Sequence, residues 1–220
     1  MIGLITNPVI EQYIEDLIPP RSPLLQRLEK EAAGEGIPII QLSSAQLLRM
    51  LLLIHQPKSI LEVGTAIGYS TIWLAEAAPD ARIVTMEMDQ ERIARARANF
   101  SEAGLTDRIE LIEGDATLGL PEGYQFDCLF IDAAKGQYQK FLNTYLPLLS
   151  NGGIVITDNI LFRGLVAAPE EASKRLRPMV EKIQGYNALL MAHPQLETSI
   201  IPICDGIAVS VKRHDGEGAK

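Results

Sequence analysis

Hydrophobic spacing along the chain changes period several times. Residues 7–18 carry apolar side chains at helical spacing (Val9, Ile10, Tyr13, Ile14, Leu17) and stop at Pro19-Pro20. Residues 24–33 predict a second short helix, closed by Gly34 and Gly36. Ser43 or Ser44 can cap a third helix that runs to about His55. That helix is apolar on nearly every side, so most of it should be buried. From residue 59 short apolar runs alternate with amphipathic stretches. Strands are expected over 59–63, 82–86, 109–112, 126–131 and 153–157, and helices over 69–77, 90–103, 137–149 and roughly 170–191. A loop with a short helical turn follows the third strand. This alternation means a parallel sheet with helices on both faces. The end departs from it. Residues 198–203 and 207–212 read as two strands joined by a tight Cys204-Asp205-Gly206 turn, so the last runs antiparallel to its neighbour. The expectation is one α/β domain over 1–220 with seven strands, residues 1–42 being a helical extension.

Composition narrows the classes. A chain of 220 residues with 47% hydrophobic residues can bury a large core and is too apolar for disorder. Aromatic content of 5% argues against a stacking platform for single-stranded nucleic acid. A net charge of −8 argues against a wide nucleic-acid surface and leaves a local basic patch open. Cys128 and Cys204 lie in apolar runs that look like strands, read as buried thiols, and form no zinc-type Cys-x-x-Cys. The N-terminus carries charges within an amphipathic segment, unlike a signal peptide. The longest apolar stretch, residues 47–54, contains Arg49 and is too short to span a bilayer. The chain is therefore read as cytoplasmic, with no membrane partner.

Chemistry collects where strands end. After the first strand, Gly64-Thr65-Ala66-Ile67-Gly68 opens a helix, a turn in which glycine lets the backbone approach a ligand. Dinucleotide enzymes use a similar device, but there the spacing is Gly-x-Gly-x-x-Gly. Glu62, just ahead of the glycines, would repel a pyrophosphate. It suits a ligand with positive charge, such as the amino group or sulfonium of S-adenosylmethionine. Glu87 ends the second strand, where an acid can accept ribose hydroxyls; the plain alternative is a solvated strand end. Asp89 reads as the cap of the next helix. Asp115, in Gly114-Asp115-Ala116, ends the third strand and could accept an adenine amino group.

The fourth and fifth strands end in Asp132-Ala133-Ala134-Lys135 and Asp158-Asn159. If the strands are parallel, these groups meet at one edge of the sheet. Two carboxylates and an amide oxygen make a hard-cation site, suited to Mg²⁺, with Mn²⁺ and Ca²⁺ also fitting. Lys135 beside it is a candidate base, or else a surface lysine paired with Asp132.

Together these motifs resemble the class I S-adenosylmethionine-dependent methyltransferases, and within them the cation-dependent O-methyltransferases that include catechol and caffeoyl-CoA O-methyltransferases. The resemblance runs from Asn7 to Lys212. It rests on Leu61-Glu62-Val63-Gly64-Thr65, Gly68-Tyr69-Ser70, Glu87-Met88-Asp89, Gly114-Asp115-Ala116, Ile131 to Lys135 and Asp158-Asn159. It implies a Rossmann-like methyltransferase sheet. It also implies cofactor contacts from Ser44, Glu62, Gly64, Thr65, Ser70, Glu87, Asp115, Ala116 and Asp132, metal ligation by Asp132, Asp158 and Asn159, and Lys135 acting on the substrate hydroxyl. Residues 132–138 and 158–164 look most like the bacterial branch that methylates 5-hydroxyuridine in tRNA, and relatives of this kind form homodimers. The N-terminal helices are then expected to cover the substrate mouth and join the dimer contact.

A cation that chelates two adjacent substrate oxygens imposes a rule on the acceptor. A catechol satisfies it, and so does 5-hydroxyuracil through its 5-hydroxyl and 4-carbonyl. Arg21, Arg49, Arg163, Lys174, Arg175 and Arg177 are candidates for a phosphate rim, with a solvated helix face as the alternative for the last three. The leading expectation is methylation of wobble 5-hydroxyuridine in tRNA, against a small catechol-like or caffeoyl-CoA-like acceptor. A non-catalytic nucleoside-binding protein is disfavoured by the intact Asp132, Lys135, Asp158 and Asn159 set.

Overall fold

The computed structural model describes residues 7–214. Helices α1 (Pro8–Leu17), α2 (Pro23–Glu35) and α3 (Leu42–His55) come first. Then follow β1 (Ser59–Val63), α4 (Tyr69–Ala77), β2 (Arg82–Glu87), α5 (Gln90–Glu102), β3 (Ile109–Glu113), β4 (Phe126–Ile131), α6 (Tyr138–Tyr145), β5 (Leu149–Thr157), α7 (Arg177–Ala192), β6 (Leu196–Ile201) and β7 (Ile207–Lys212). The sheet order is β3-β2-β1-β4-β5-β7-β6. Only β7 among these strands runs against the rest, pairing antiparallel with both β5 and β6. Strand order reverses between β1 and β4, and in such sheets the crevice beyond the strand tips at this point is where ligands bind.

Alternation along the strands divides the core in two. Ile60, Ile83, Cys128, Phe130 and Ile156 pack against α2, α3, α4 and α5. Leu61, Val63, Val84, Met86, Leu129 and Ile131 pack against α6 and α7 on the other face. Glu62 shares the first face with Ile60, since side chains two apart point the same way.

Several boundaries differ from the sequence expectation, each for a local reason. Helix α2 runs through Gly34 and ends at Gly36, whose φ of 69° provides the left-handed cap. Ser43 and Ser44 do not cap α3. Gln41 occupies the cap position, and both serines are buried in the first turn. One side of α3 is buried, but Met50, Leu53 and Ile54 are exposed. Pro147 cannot donate an N–H, so the predicted 137–149 helix breaks into α6 and a 3₁₀ turn over Leu146–Leu148. The predicted 170–191 helix starts only at Arg177. Lys174 and Arg175 are exposed in the turn before it, so they form no helix face. Cys204 lies in the hairpin loop at φ 50° instead of in a strand.

Candidate active site

A cavity of about 830 Å³ opens at the strand tips. Gly64, Thr65, Ser70, Glu87, Asp115, Ala116, Asp132, Lys135 and Asn159 all line it. Tyr69, Met86 and Phe141 line it too, and the linker residues Pro38, Ile39 and Ile40 close one wall. The N-terminal extension therefore borders the cavity through this linker, not through α1 or α2 themselves. Helix α2 reaches the cavity indirectly: the Tyr69 hydroxyl donates to Glu29 at 2.8 Å, and Arg21 holds Glu29 at 2.6 Å.

The glycine turn is shaped by close contacts within the protein. Gly64 has φ 107°, and a Cβ there would sit 2.2 Å from the Asp132 carbonyl oxygen. Gly68 has φ 86°, and its Cβ would strike the Phe100 ring at 2.5 Å. Glycine is thus required to bring β1 against the tip of β4 and α4 against α5.

Three expected site residues lie outside this lining: Glu62, Ser44 and Asp158. Glu62 is 0% exposed and is not part of the lining. Its carboxylate accepts Ser70 at 2.6 Å, Thr85 at 2.6 Å and a short bond from Thr71. Burial pushes it up from the usual 4.5 to about 7, against the pull of those three hydroxyls, and the charge of Asp132 adds to the rise. It therefore answers hydroxyls beneath the loop rather than presenting charge to a ligand. Ser44 is buried beside the Cys204 thiol, also outside the lining.

Glu87 lines the cavity with its carboxylate held by backbone N–H groups. Its Oε2 accepts the Ala66 N–H at 2.9 Å, and its Oε1 accepts those of Met88 at 2.9 Å and Asp89 at 3.1 Å. The carboxylate is fixed in direction while free lone pairs remain for hydroxyls. Asp115 accepts the Thr117 N–H at 2.8 Å, which holds its carboxyl below the usual range. Tyr145 donates to the Ala116 carbonyl at 2.5 Å and so fixes the third strand end.

The tips of β4 and β5 bring Asp132, Lys135, Asp158 and Asn159 together. Asp158 is 1% exposed and sits behind Asn159, whose N–H donates to it at 2.7 Å. Asn159 has φ 59°, which turns its side chain into the cavity. Burial pushes the Asp132 carboxyl up, with Lys135 pulling it back. Burial and then the charge of Asp132 push Asp158 well above the carboxylate range. Lys135 Nζ donates to Asn159 Oδ1 at 2.5 Å. A surface pairing of Lys135 with Asp132 is not what forms. No three His, Cys, Asp or Glu converge as metal ligands among the described residues. The donor set that fits a hard cation is therefore two mutually repelling carboxylates and one amide oxygen.

Asp205 escapes the sequence reading. Its carboxylate accepts the Arg163 N–H, and its charge acts on Asp158. Together with the Gly206 carbonyl, which takes the Ile160 N–H at 3.0 Å, it fastens the hairpin loop to the segment after Asn159. The signal was only an Asp-Gly pair, which reads as a turn.

Comparison with known proteins agrees with this geometry. Residues 17–213 match the O-methyltransferase family. The chain is 34% identical over 215 residues to the catechol O-methyltransferase of Niastella koreensis, with 94% of this chain and 93% of that protein covered. It is 32% identical over 220 residues to the caffeoyl-CoA O-methyltransferase of Eucalyptus gunnii, covering 94% of this chain and 88% of that protein. Its fold is similar to that of the Bacillus cereus O-methyltransferase in complex with S-adenosylhomocysteine, with a TM-score of 0.82, 28% identity, and 93% and 97% of the two chains covered. It is likewise similar to the S-adenosylhomocysteine-bound methyltransferase of Podospora anserina, with a TM-score of 0.84, 28% identity, and 94% and 95% covered. The chain belongs to the S-adenosylmethionine-dependent O-methyltransferases of the catechol and caffeoyl-CoA type.

Proposed function

We propose that this enzyme methylates one hydroxyl of a small acceptor carrying two adjacent oxygens, a catechol or a caffeoyl-CoA-type ester, with a divalent cation bound by Asp132, Asp158 and Asn159. The observation that carries this reading is Asp132 and the Asn159 amide oxygen in the same cavity as Glu87, with the Asp158 carboxylate buried directly behind Asn159 and repelled by Asp132. A bound cation, Mg²⁺ first, would supply Lewis acidity and a template for the two oxygens. The residues do the rest. Glu87 and Asp115 orient the nucleoside of the methyl donor. Lys135 takes the proton of the hydroxyl that attacks the methyl carbon, and for that its amine must first be neutral. Its hydrogen bond to Asn159 aims Nζ at the acceptor side of the cavity. As the oxygen–carbon bond forms, the carbon–sulfur bond breaks and S-adenosylhomocysteine leaves.

The relatives described above are named for catechol and caffeoyl-CoA, which supports the small-acceptor reading. The tRNA reading has thinner support. Of the rim candidates, Arg21 is committed to Glu29, and Arg177 donates to the Ala172 carbonyl. The deciding assay offers methyl-labelled S-adenosylmethionine and Mg²⁺ to a catechol, to caffeoyl-CoA and to hypomodified tRNA. Label in the small acceptors, lost on chelation, is expected. Label in tRNA alone would overturn the proposal.

The same reading includes a homodimer. No residue of α1 is buried, Val9, Tyr13 and Leu17 are exposed, and α1 lies against α3, where Ile54 is 76% exposed. An apolar face of this kind calls for cover by a second copy. Light scattering at micromolar concentration should give twice the chain mass, and a monomer would remove this part. No described helix is long and apolar enough to cross a membrane.

A further inference from the structure

Four hydroxyls around Glu62 carry four protons, and their geometry leaves few ways to place them. Ser70 Oγ lies 2.6 Å from Oε1, while Thr71 and Thr85 both reach Oε2. Thr65 lies 2.6 Å from Thr85 and must donate to it if Thr85 donates to Glu62. With Glu62 ionised, Ser70, Thr71 and Thr85 all point their protons inward. Of those three, Ser70 alone lines the cavity, and it then offers the cavity lone pairs only. A proton on Oε1 reverses the Glu62–Ser70 bond, and the Ser70 proton becomes free to enter the cavity.

Ser70 stands in the first turn of α4, whose N-cap Gly68 makes no side-chain bond. The positive end of the helix favours the carboxylate of the methyl donor's amino-acid tail over its ammonium. A carboxylate there needs Ser70 as a donor. We infer that Glu62 is a positioning residue that sets the direction of the Ser70 hydroxyl, so that the donor's amino-acid tail binds with uptake of one proton from solvent onto Glu62. The inference rests on the cavity being the S-adenosylmethionine site. Around Glu62, α4 and β2 present hydroxyls and the paired strand β4 presents Phe130; the charged group acting on it is Asp132 at the tip of β4. Burial and that charge both favour the protonated form, which the ligand then completes.

The test is calorimetric titration of S-adenosylhomocysteine into the protein from pH 6.5 to 8.5, in buffers of different ionisation enthalpy. Above pH 7 the affinity should fall by up to about tenfold per pH unit, with close to one proton taken up per ligand at pH 8. Adenosine, which lacks the tail, should show neither effect. In Glu62→Gln the amide N–H donates permanently to Ser70 while the amide oxygen serves the threonines. That variant should hold its pH 6.5 affinity through pH 8.5 and take up no proton. Ser70→Ala should bind more weakly at pH 6.5 and lose the slope. A flat wild-type profile, or a slope that survives in Glu62→Gln or Ser70→Ala, overturns the inference. Failure of S-adenosylhomocysteine to bind at any pH overturns the cavity's assignment and the inference with it.

Discussion

At the tips of β1 and β2 each acid is answered by the protein itself. Three hydroxyls converge on Glu62, and three backbone N–H groups on Glu87. At the tips of β4 and β5 the acids are answered less fully: the Asn159 N–H donates to Asp158, and Lys135 draws on both carboxylates only through its charge. Asp132 and Asp158 act on each other, and the one ammonium nearby, on Lys135, bonds to the Asn159 amide oxygen. The first region has its partners in place before any ligand arrives, and only the direction of the Ser70 hydroxyl answers to the ligand. The second leaves two carboxylates close together, and in the proposed function an incoming positive charge completes it. Preorganised donors and acceptors suit a ligand whose shape does not change between turnovers, whereas a charge-deficient pocket makes catalysis depend on what fills it.

Removing a proposed cation ligand from the second region should have the largest effect. Asp158→Ala should lower kcat/KM for a catechol by about 10³-fold, the scale on which a bound cation stabilises an oxygen nucleophile. S-adenosylhomocysteine affinity should stay within about threefold, because the β1 and β2 tips are untouched. Lys135→Met should lower kcat by roughly 10²-fold or more, as expected for loss of a positioned base. Equal losses in donor affinity and in kcat would mean that the two regions are not separable.

The join between the regions is Gly64. A methyl group there meets the Asp132 backbone, in a conformation that L-residues avoid. Gly64→Ala should cost about 3 kcal/mol in urea unfolding, combining overpacking with strain at positive φ. A loss under 1 kcal/mol would show that β1 and β4 can part without harm.

Strand tips were legible in the sequence because an acid that ends an apolar run stands out, as Glu87, Asp132 and Asp158 do. The turn glycines were legible for the same reason, although the contacts that demand glycine turn out to be with Asp132 and Phe100 rather than with a ligand. Facing was harder to read. Glu62 lies one residue from the tip, and whether it meets ligand or core depends on Ser70, Thr71 and Thr85, which are 8, 9 and 23 residues away. Ser44 had helix-cap chemistry, but the helix starts two residues earlier and carries it inside. Asp205 was hidden because its partner, the Arg163 N–H, is 42 residues distant and set by the antiparallel hairpin.

Glu62 also exposes a cost of the finished region. Its folded value near 7 lies above the unfolded 4.5, so the folded state binds more protons between these limits. Its contribution to stability is complete below about pH 4.5 and is lost as pH rises through 7. Between pH 5 and 8 the loss should be roughly 2 kcal/mol. The difference in unfolding free energy between wild type and Glu62→Gln should therefore widen by that amount over the range. Parallel pH profiles would show that Glu62 is ionised throughout.

The smallest expected effect falls on Glu87. Its oxygens are already committed to N–H groups, so Glu87→Gln keeps the amide oxygen for one side and turns an N–H toward the other. The side that meets an N–H donor of the backbone loses its bond, and one ribose hydroxyl loses an acceptor. Since the remaining oxygen still orients the nucleoside, the dissociation constant for S-adenosylhomocysteine should rise by about tenfold, the size of one charged hydrogen bond. With the chemical step at the β4 and β5 tips, as proposed, kcat at saturating donor should change less than twofold. A fall in kcat that matches the rise in the dissociation constant would place Glu87 in control of the methyl group's alignment, and the division between a finished region and a ligand-completed one would have to be redrawn around the sulfur.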